Sequence, residues 1–335
     1  MNILYAGSPD ISAKVLEDLY LLTENSSDFN IVGVLTNPPS AKGRHKELVP
    51  TEVAQIAIKY QLPVLEPEKL DADLREKVRA LNPDILVCFA YGKIFGPKFL
   101  ELFPMGAINL HPSLLPKYRG CAPVPASILN QDKITGITIQ RLVQQMDAGD
   151  ILLQKELPIE KDDNSETVLN KASAQGGKLF LEVLNQIENK TENPVPQDES
   201  QATYCRMLEK EDGRIDWSKS ANEIDAKIRA FYPWPGAFTN VGENILKIHS
   251  CEVFNQEKFE TTNVTVADGS VQKLSSISGK IPGTVLGVDK SCGILVQTGN
   301  GILVLKNLQW QAKKAMNWKD FMNGSKQFCH CICGQ

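Results

Sequence analysis

The N-terminal half of the chain alternates short apolar runs with longer stretches of helical periodicity, and few architectures accept that pattern. Asn2-Ile3-Leu4-Tyr5-Ala6-Gly7 reads as a buried first strand, Ser8-Pro9-Asp10 as a turn, and Val15, Leu16 and Leu19 as the inner stripe of a helix. Ile31 to Thr36, Asp84 to Ala90 and Ala107 to His111 repeat the strand pattern. Between them, Val53, Ile56, Ala57 and Tyr60 share one helical face, and Leu70 to Leu81 forms a second such stretch. Strands apolar throughout need cover on both faces, so the prediction is an α/β fold with a doubly wound, mainly parallel sheet.

Thr135 to Leu142 and Ile151 to Pro158 predict two further strands, and Ser165 to Ile187 a long amphipathic helix with Ser165 as its cap. Lys190 to Ser200 is polar and carries two prolines, the composition of a linker. Beyond it come a helix near Ala221 to Phe231, the turn-rich Pro233-Trp234-Pro235-Gly236-Ala237, and short glycine-punctuated strands at 245–254, 283–288, 293–298 and 301–308. Regularly spaced short strands suggest a small OB-like β-barrel. The expected division is a first domain over 1–189, a linker over 190–205, a barrel over 206–325 and a disordered end over 326–335.

At 335 residues, 42% hydrophobic and 23% charged, the composition is that of a soluble globular chain. No run approaches the roughly 18 apolar residues that a membrane helix needs, and the start lacks the basic and apolar regions of a signal peptide. A cytoplasmic protein is expected, with no membrane partner. The cluster Cys329-His330-Cys331-Ile332-Cys333 spaces its ligands too tightly for a structural zinc, so no metal is expected. The net charge of −4 is uneven. From Gly269 onward eight lysines face two aspartates, a net +6, which leaves −10 for the residues before it. Such a basic end suits a polyanionic partner.

The chemistry concentrates in Asn109-Leu110-His111-Pro112-Ser113-Leu114-Leu115-Pro116-Lys117, with Asp147 downstream in Met146-Asp147-Ala148-Gly149-Asp150. Asn109 and His111 lie two apart on a strand, so their side chains leave one face near the strand's C-terminal end. An amide and an imidazolium there can donate to an oxyanion, and a carboxylate beside the imidazole is expected to hold it protonated and to accept a proton. These are candidates for transfer of a small acyl group to an amine without a metal. The first strand-turn-helix carries Gly7-Ser8-Pro9 where a dinucleotide fold would show Gly-x-Gly-x-x-Gly, which argues against hydride transfer.

The segment from Asn109 to Gly120 resembles the signature loop of folate-dependent formyltransferases, and Asp147 with Gly149-Asp150-Ile151 resembles their aspartate loop. Tyr5 to Asp10, Gln197 to Tyr204, Gly213 to Ser218 and Pro233 to Ala237 extend the resemblance, over nearly the full chain, to members that formylate methionyl-tRNA. The resemblance implies a formyltransferase-like Rossmann variant, catalysis by Asn109, His111 and Asp147, and 10-formyltetrahydrofolate as donor. Ser113, Leu114, Leu115 and Pro116 would line the donor site, and Phe89, Tyr91 and Gly92 would cradle the pterin. The loop Lys42, Gly43, Arg44, His45, Lys46 resembles a basic loop that engages the tRNA acceptor end, so initiator methionyl-tRNA is the implied acceptor. A UDP-amino sugar is the alternative acceptor. A monomer is expected, although no motif fixes the oligomeric state.

Overall fold

The structure is a computed structural model that describes residues 1–42 and 47–335. It forms two compact units. The first comprises Met1–Val124, Lys133–Ile159 and Thr167–Arg206; the second comprises Pro125–Asp132, Glu160–Glu166 and Met207–Gln335.

The first unit is built on a seven-stranded sheet of β1 (Asn2–Ala6), β2 (Asn30–Leu35), β3 (Val64–Leu65), β4 (Ile85–Cys88), β5 (Ala107–His111), β6 (Ile134–Arg141) and β7 (Ile151–Pro158). Their order across the sheet is β7-β6-β5-β4-β1-β2-β3. Strands β1 to β5 pair in parallel, while β6 runs antiparallel to β5 and β7 antiparallel to β6. Strand alternation sends successive side chains to opposite layers. Ile3 and Tyr5 join Val15, Leu16, Leu19, Ile108, Leu110 and Phe180 on one face. Leu4 and Ala6 join Leu35, Leu86, Phe95, Phe99 and Phe103 on the other. Both faces are therefore covered, as the apolar strands demand.

Helix α1 (Asp10–Thr23) follows Pro9 directly. Helix α2 (Glu52–Lys59) starts where the Thr51 hydroxyl accepts from the Ala54 N–H, and α3 (Ala72–Ala80) where the Asp71 carboxylate accepts from Leu74. The long helix runs from Ser165 to Glu188. The hydrogen of Ser165 Oγ goes to the Ala230 carbonyl at 2.5 Å.

Residues 190–205 do not form a free linker. Val195 pairs antiparallel with Ile151, and Tyr204–Cys205 forms a two-residue parallel ribbon with Arg119–Gly120. The prolines and polar side chains that suggested a linker are accommodated because this backbone pairs with strand ends and its amides have partners in the first unit.

In the second unit the strands Ala237–Val241, Asn244–Val253, Val285–Asp289, Gly293–Gln297 and Ile302–Trp310 make up most of one antiparallel sheet. The sheet ends on Ala237–Val241 at one side and Val271–Lys273 at the other, and these two ends do not pair. Among the described residues, strand pairing does not close the barrel-like sheet expected from strand spacing. Its core gathers Trp217, Ile224, Leu246, Ile248, Leu303, Leu305, Phe321 and Phe328, and the Trp217 indole N–H donates to Thr239 Oγ1 at 2.9 Å.

The expected disordered end is ordered. Phe328 and Cys333 are each 2% exposed, Ile332 bridges Thr284, and Cys333 N–H donates to the Gly283 carbonyl at 2.8 Å. One phenylalanine and a small apolar thiol supply enough buried surface to hold a short segment that looks merely polar and cysteine-rich.

Candidate active site

Antiparallel pairing of β5 with β6 decides what shares the site. Asn109 lies opposite Gln140 and His111 opposite Thr138, so the four side chains project from one face of the sheet. The site sits where the parallel part of the sheet meets its antiparallel extension, outside the C-terminal end of β5.

His111 is 4% exposed. Its Nε2 lies 2.8 Å from the Tyr118 carbonyl. A carbonyl only accepts, so Nε2 carries the hydrogen and the neutral ring keeps its lone pair on Nδ1. Nδ1 is 3.6 Å from Asp147 Oδ2. The sequence predicted that this carboxylate would keep His111 protonated. Instead, burial lowers the imidazole pKa from its usual value and outweighs the opposing pull of Asp147 and of the Tyr118 carbonyl. His111 is therefore a neutral imidazole near pH 7, with Asp147 ready to stabilise a proton that arrives on Nδ1.

Asp147 is held at every oxygen. Its Oδ2 accepts from the Gly120 N–H at 2.8 Å and its Oδ1 from Gln140 Nε2 at 2.9 Å, while Gln197 Nε2 donates to its carbonyl at 2.8 Å. The residue adopts φ +51°, an uncommon left-handed conformation. Gly149 closes the same loop so tightly that a Cβ there would sit 1.8 Å from the Arg141 carbonyl oxygen. At Gly120, φ is +109° and a Cβ would approach the Cys205 carbonyl oxygen to 2.2 Å. Only glycine brings the Gly120 N–H to the carboxylate.

Asn109 is half-buried at the strand end, and its side-chain amide makes no hydrogen bond with the described residues. It is free to donate to a substrate oxygen. Residues 113–117 are fixed by their own polar groups. Thr138 Oγ1 donates to the Ser113 carbonyl at 2.7 Å and accepts from Leu115 N–H at 3.1 Å, and Ser113 Oγ donates to the Lys117 carbonyl at 2.7 Å. Ser113 and Leu115 are buried, Leu114 and Pro116 are half-buried, and Lys117 is exposed. Gln154 Nε2 fixes the Leu115 carbonyl from the adjoining strand at 2.8 Å.

Phe89 and Tyr91 do not line an open wall. Each is 2% exposed, and they enter opposite apolar layers, Tyr91 stacking on Phe95 with ring centroids 5.3 Å apart. The backbone between them turns at Ala90 (φ +52°) and Gly92 (φ +84°), and Asn37 Nδ2 fixes the turn by donating to the Tyr91 carbonyl at 2.9 Å. Around this strand end the exposed surface is backbone and Ala90, not aromatic side chain. Arg44, His45, Lys46 and the side chain of Lys42 lie outside the described residues; the adjoining segments Ser40–Lys42 and Glu47–Val49 pair antiparallel.

Sequence reasoning missed Gln140, Gln197 and Arg119. The signal for Gln140 was its register opposite Asn109, which a single sequence does not display. Arg119 is fully buried, with both Nη atoms on the Glu199 carboxylate at 3.0 and 2.8 Å.

A buried imidazole flanked by a carboxylate, with a free amide donor on the same face, is the equipment of an acyl-transfer enzyme. The chain belongs to the formyl transferase family: residues 1–184 match the formyl transferase family and residues 207–326 its C-terminal domain. Within the family, the chain is 46% identical to the methionyl-tRNA formyltransferase of Treponema denticola over 337 residues, covering 98% of each chain. Two solved structures share the fold. HypX from Aquifex aeolicus in complex with tetrahydrofolic acid superposes with a TM-score of 0.61 at 15% identity, covering 97% of this chain and 47% of that one. The methionyl-tRNA formyltransferase from Clostridium thermocellum gives 0.55 at 20% identity, covering 76% and 95%.

Proposed function

We propose that this chain moves the formyl group of 10-formyltetrahydrofolate to the α-amino group of methionine on initiator methionyl-tRNA. The observation that carries the chemistry is neutral His111, buried between the Tyr118 carbonyl and Asp147, with Asn109 free beside it. The near full-length similarity to the Treponema denticola enzyme supports the acceptor. The folate found with HypX supports the donor class.

The amine nitrogen attacks the formyl carbon, and the carbonyl oxygen gains charge that the Asn109 amide is placed to stabilise. The proton shed by the amine goes to His111 Nδ1, directly or through one water. The imidazolium so formed keeps its Nε2 hydrogen on the Tyr118 carbonyl and gains Asp147 as counter-charge. It then returns the proton to the departing folate nitrogen as the carbon–nitrogen bond breaks. Burial supports this sequence, because a ring that is neutral at rest can act first as base and then as acid.

Leu114 and Pro116, with the Ala90–Gly92 turn, form the surface proposed for the folate. The basic residues Lys42, Arg44, His45 and Lys46 and the lysine-rich chain after Gly269 are the proposed phosphate contacts for tRNA. The test offers purified protein and 10-formyltetrahydrofolate to charged initiator tRNA and to a UDP-amino sugar in parallel. Formylmethionine on the tRNA is the expected product. Formylation of the sugar nucleotide alone would reject the acceptor while leaving the chemistry standing.

A further inference from the structure

The two glutamines beside Asp147 form a chain of hydrogen bonds whose direction is fixed at one end. Arg119 is 0% exposed and is a donor only. Its Nε and Nη2 reach Gln197 Oε1 at 3.0 and 2.8 Å, so the Gln197 oxygen must face the guanidinium. The Gln197 amide nitrogen then gives its two hydrogens to the Asp147 carbonyl at 2.8 Å and the Gly149 carbonyl at 2.7 Å, with Gln140 Oε1 at 3.3 Å as a weaker, shared third acceptor. The Asp147 carboxylate only accepts, so Gln140, which is 2% exposed, presents its amide nitrogen to it at 2.9 Å and leaves its oxygen facing Gln197 Nε2. No member of the chain can flip without setting donor against donor or acceptor against acceptor.

We propose that Gln140, oriented through Gln197 by buried Arg119, is the positioning residue that holds the Asp147 carboxylate at its working distance from His111. Gln197 is the second positioning residue, pinning the backbone of the Asp147 loop in its left-handed turn. Glu199 anchors the arrangement by neutralising Arg119 with a two-point contact. The segment that composition marks as a linker thus delivers Gln197 and Glu199 to the site. The proposal rests on the reading in which Asp147 serves His111.

Gln140→Met removes both hydrogen-bonding atoms at matched length, and Gln197→Glu keeps the acceptor for Arg119 while losing every donor. Each is measured for kcat, for KM toward 10-formyltetrahydrofolate and charged tRNA, and for its melting midpoint. Gln140→Met is also placed in an Asp147→Asn background to form a double-mutant cycle. Gln140→Met is expected to lose about 10- to 100-fold in kcat, the equivalent of one hydrogen bond to a charged group, and Gln197→Glu to lower kcat as the Asp147 loop loosens, with both KM values held within about twofold. In the Asp147→Asn background the Gln140→Met loss should shrink to about twofold or less, because its target is gone. An unchanged kcat in folded Gln140→Met, or an equal loss in both backgrounds, would overturn the proposal. Should Gln140→Met not fold, the decision passes to half-buried Gln197→Glu, for which an unchanged kcat has the same meaning. If Asp147→Asn alone leaves the rate intact, the underlying reading of Asp147 fails, an outcome separate from failure of the glutamines.

Discussion

Asp147→Asn isolates the charge that His111 meets when it takes a proton. The substitution conserves shape, and the arithmetic follows from the structure. At the 3.6 Å between His111 Nδ1 and Asp147 Oδ2, a full ion pair is worth about 4 to 5 kcal/mol at an effective dielectric constant of about 20. If the proton is about half transferred at the barrier, half of that is lost, about 2 to 2.5 kcal/mol, so the transfer rate should fall about 30- to 70-fold. The same change removes an acceptor. Gly120 N–H and Gln140 Nε2 both donate to the carboxylate, and the new amide offers one oxygen to the two of them. Stability should drop by about 1 to 3 kcal/mol for the donor left without a partner. The assay is a single-turnover mix of enzyme saturated with 10-formyltetrahydrofolate and charged initiator tRNA, quenched and read as formylmethionine, beside a urea melt. A folded variant within about threefold of the unaltered rate would refute the role given to the carboxylate.

Asn109→Ala should lower kcat about 100- to 1,000-fold, the usual cost of one oxyanion donor, while the melting curve stays put because the amide has no partner among the described residues to lose; single-turnover rates and calorimetry check both parts. Because burial depresses the His111 pKa below its usual value of 6.5, the unfolded chain binds that proton more readily than the native one. His111 should therefore cost stability as pH falls below about 6.5, at up to about 1.4 kcal/mol per pH unit, and His111→Asn should flatten that part of a pH–stability curve. Phe328→Ala should destabilise the protein by about 3 to 5 kcal/mol in a urea melt, because the ring packs edge-on against Trp310 and Phe321; a silent substitution would mean the C-terminal end is not part of the core. Arg44→Ala should weaken the apparent affinity for charged tRNA and reduce its salt dependence without altering folate binding, as competition measurements at two ionic strengths would show.

The parallel sheet was legible because its strands are apolar on both faces, and a strand such as Ile85–Cys88 has one way to be buried. The convergence of Asn109, His111 and Asp147 was legible as a candidate site because two of them sit two residues apart on a strand and the third sits in a glycine loop. What could not be read was whatever depends on register or on distant pairing. Gln140 gains its meaning only because it lies opposite Asn109, and Gln197 only because 190–205 folds back on the first unit. The charge state of His111 was misjudged for a related reason. A nearby carboxylate is visible in sequence, whereas the depth of burial that opposes it is a property of packing. Phe89 and Tyr91 follow the same lesson: aromatic residues at a strand end suggested a pocket wall, and the left-handed turn at Ala90 sends the two rings into opposite core layers. In the second unit, short polar strands such as Asn263–Thr265 and Val271–Lys273 carry no apolar alternation and appear only through their neighbours.

The central claim is that neutral His111 carries the proton from the attacking amine to the departing folate nitrogen. Its most direct test is single-turnover formyl transfer to charged initiator tRNA by His111→Asn, with folate binding measured on the same preparation. The account predicts that the variant binds 10-formyltetrahydrofolate nearly as the unaltered protein does and yields no formylmethionine above background. Formylmethionine formed at an undiminished rate would contradict it.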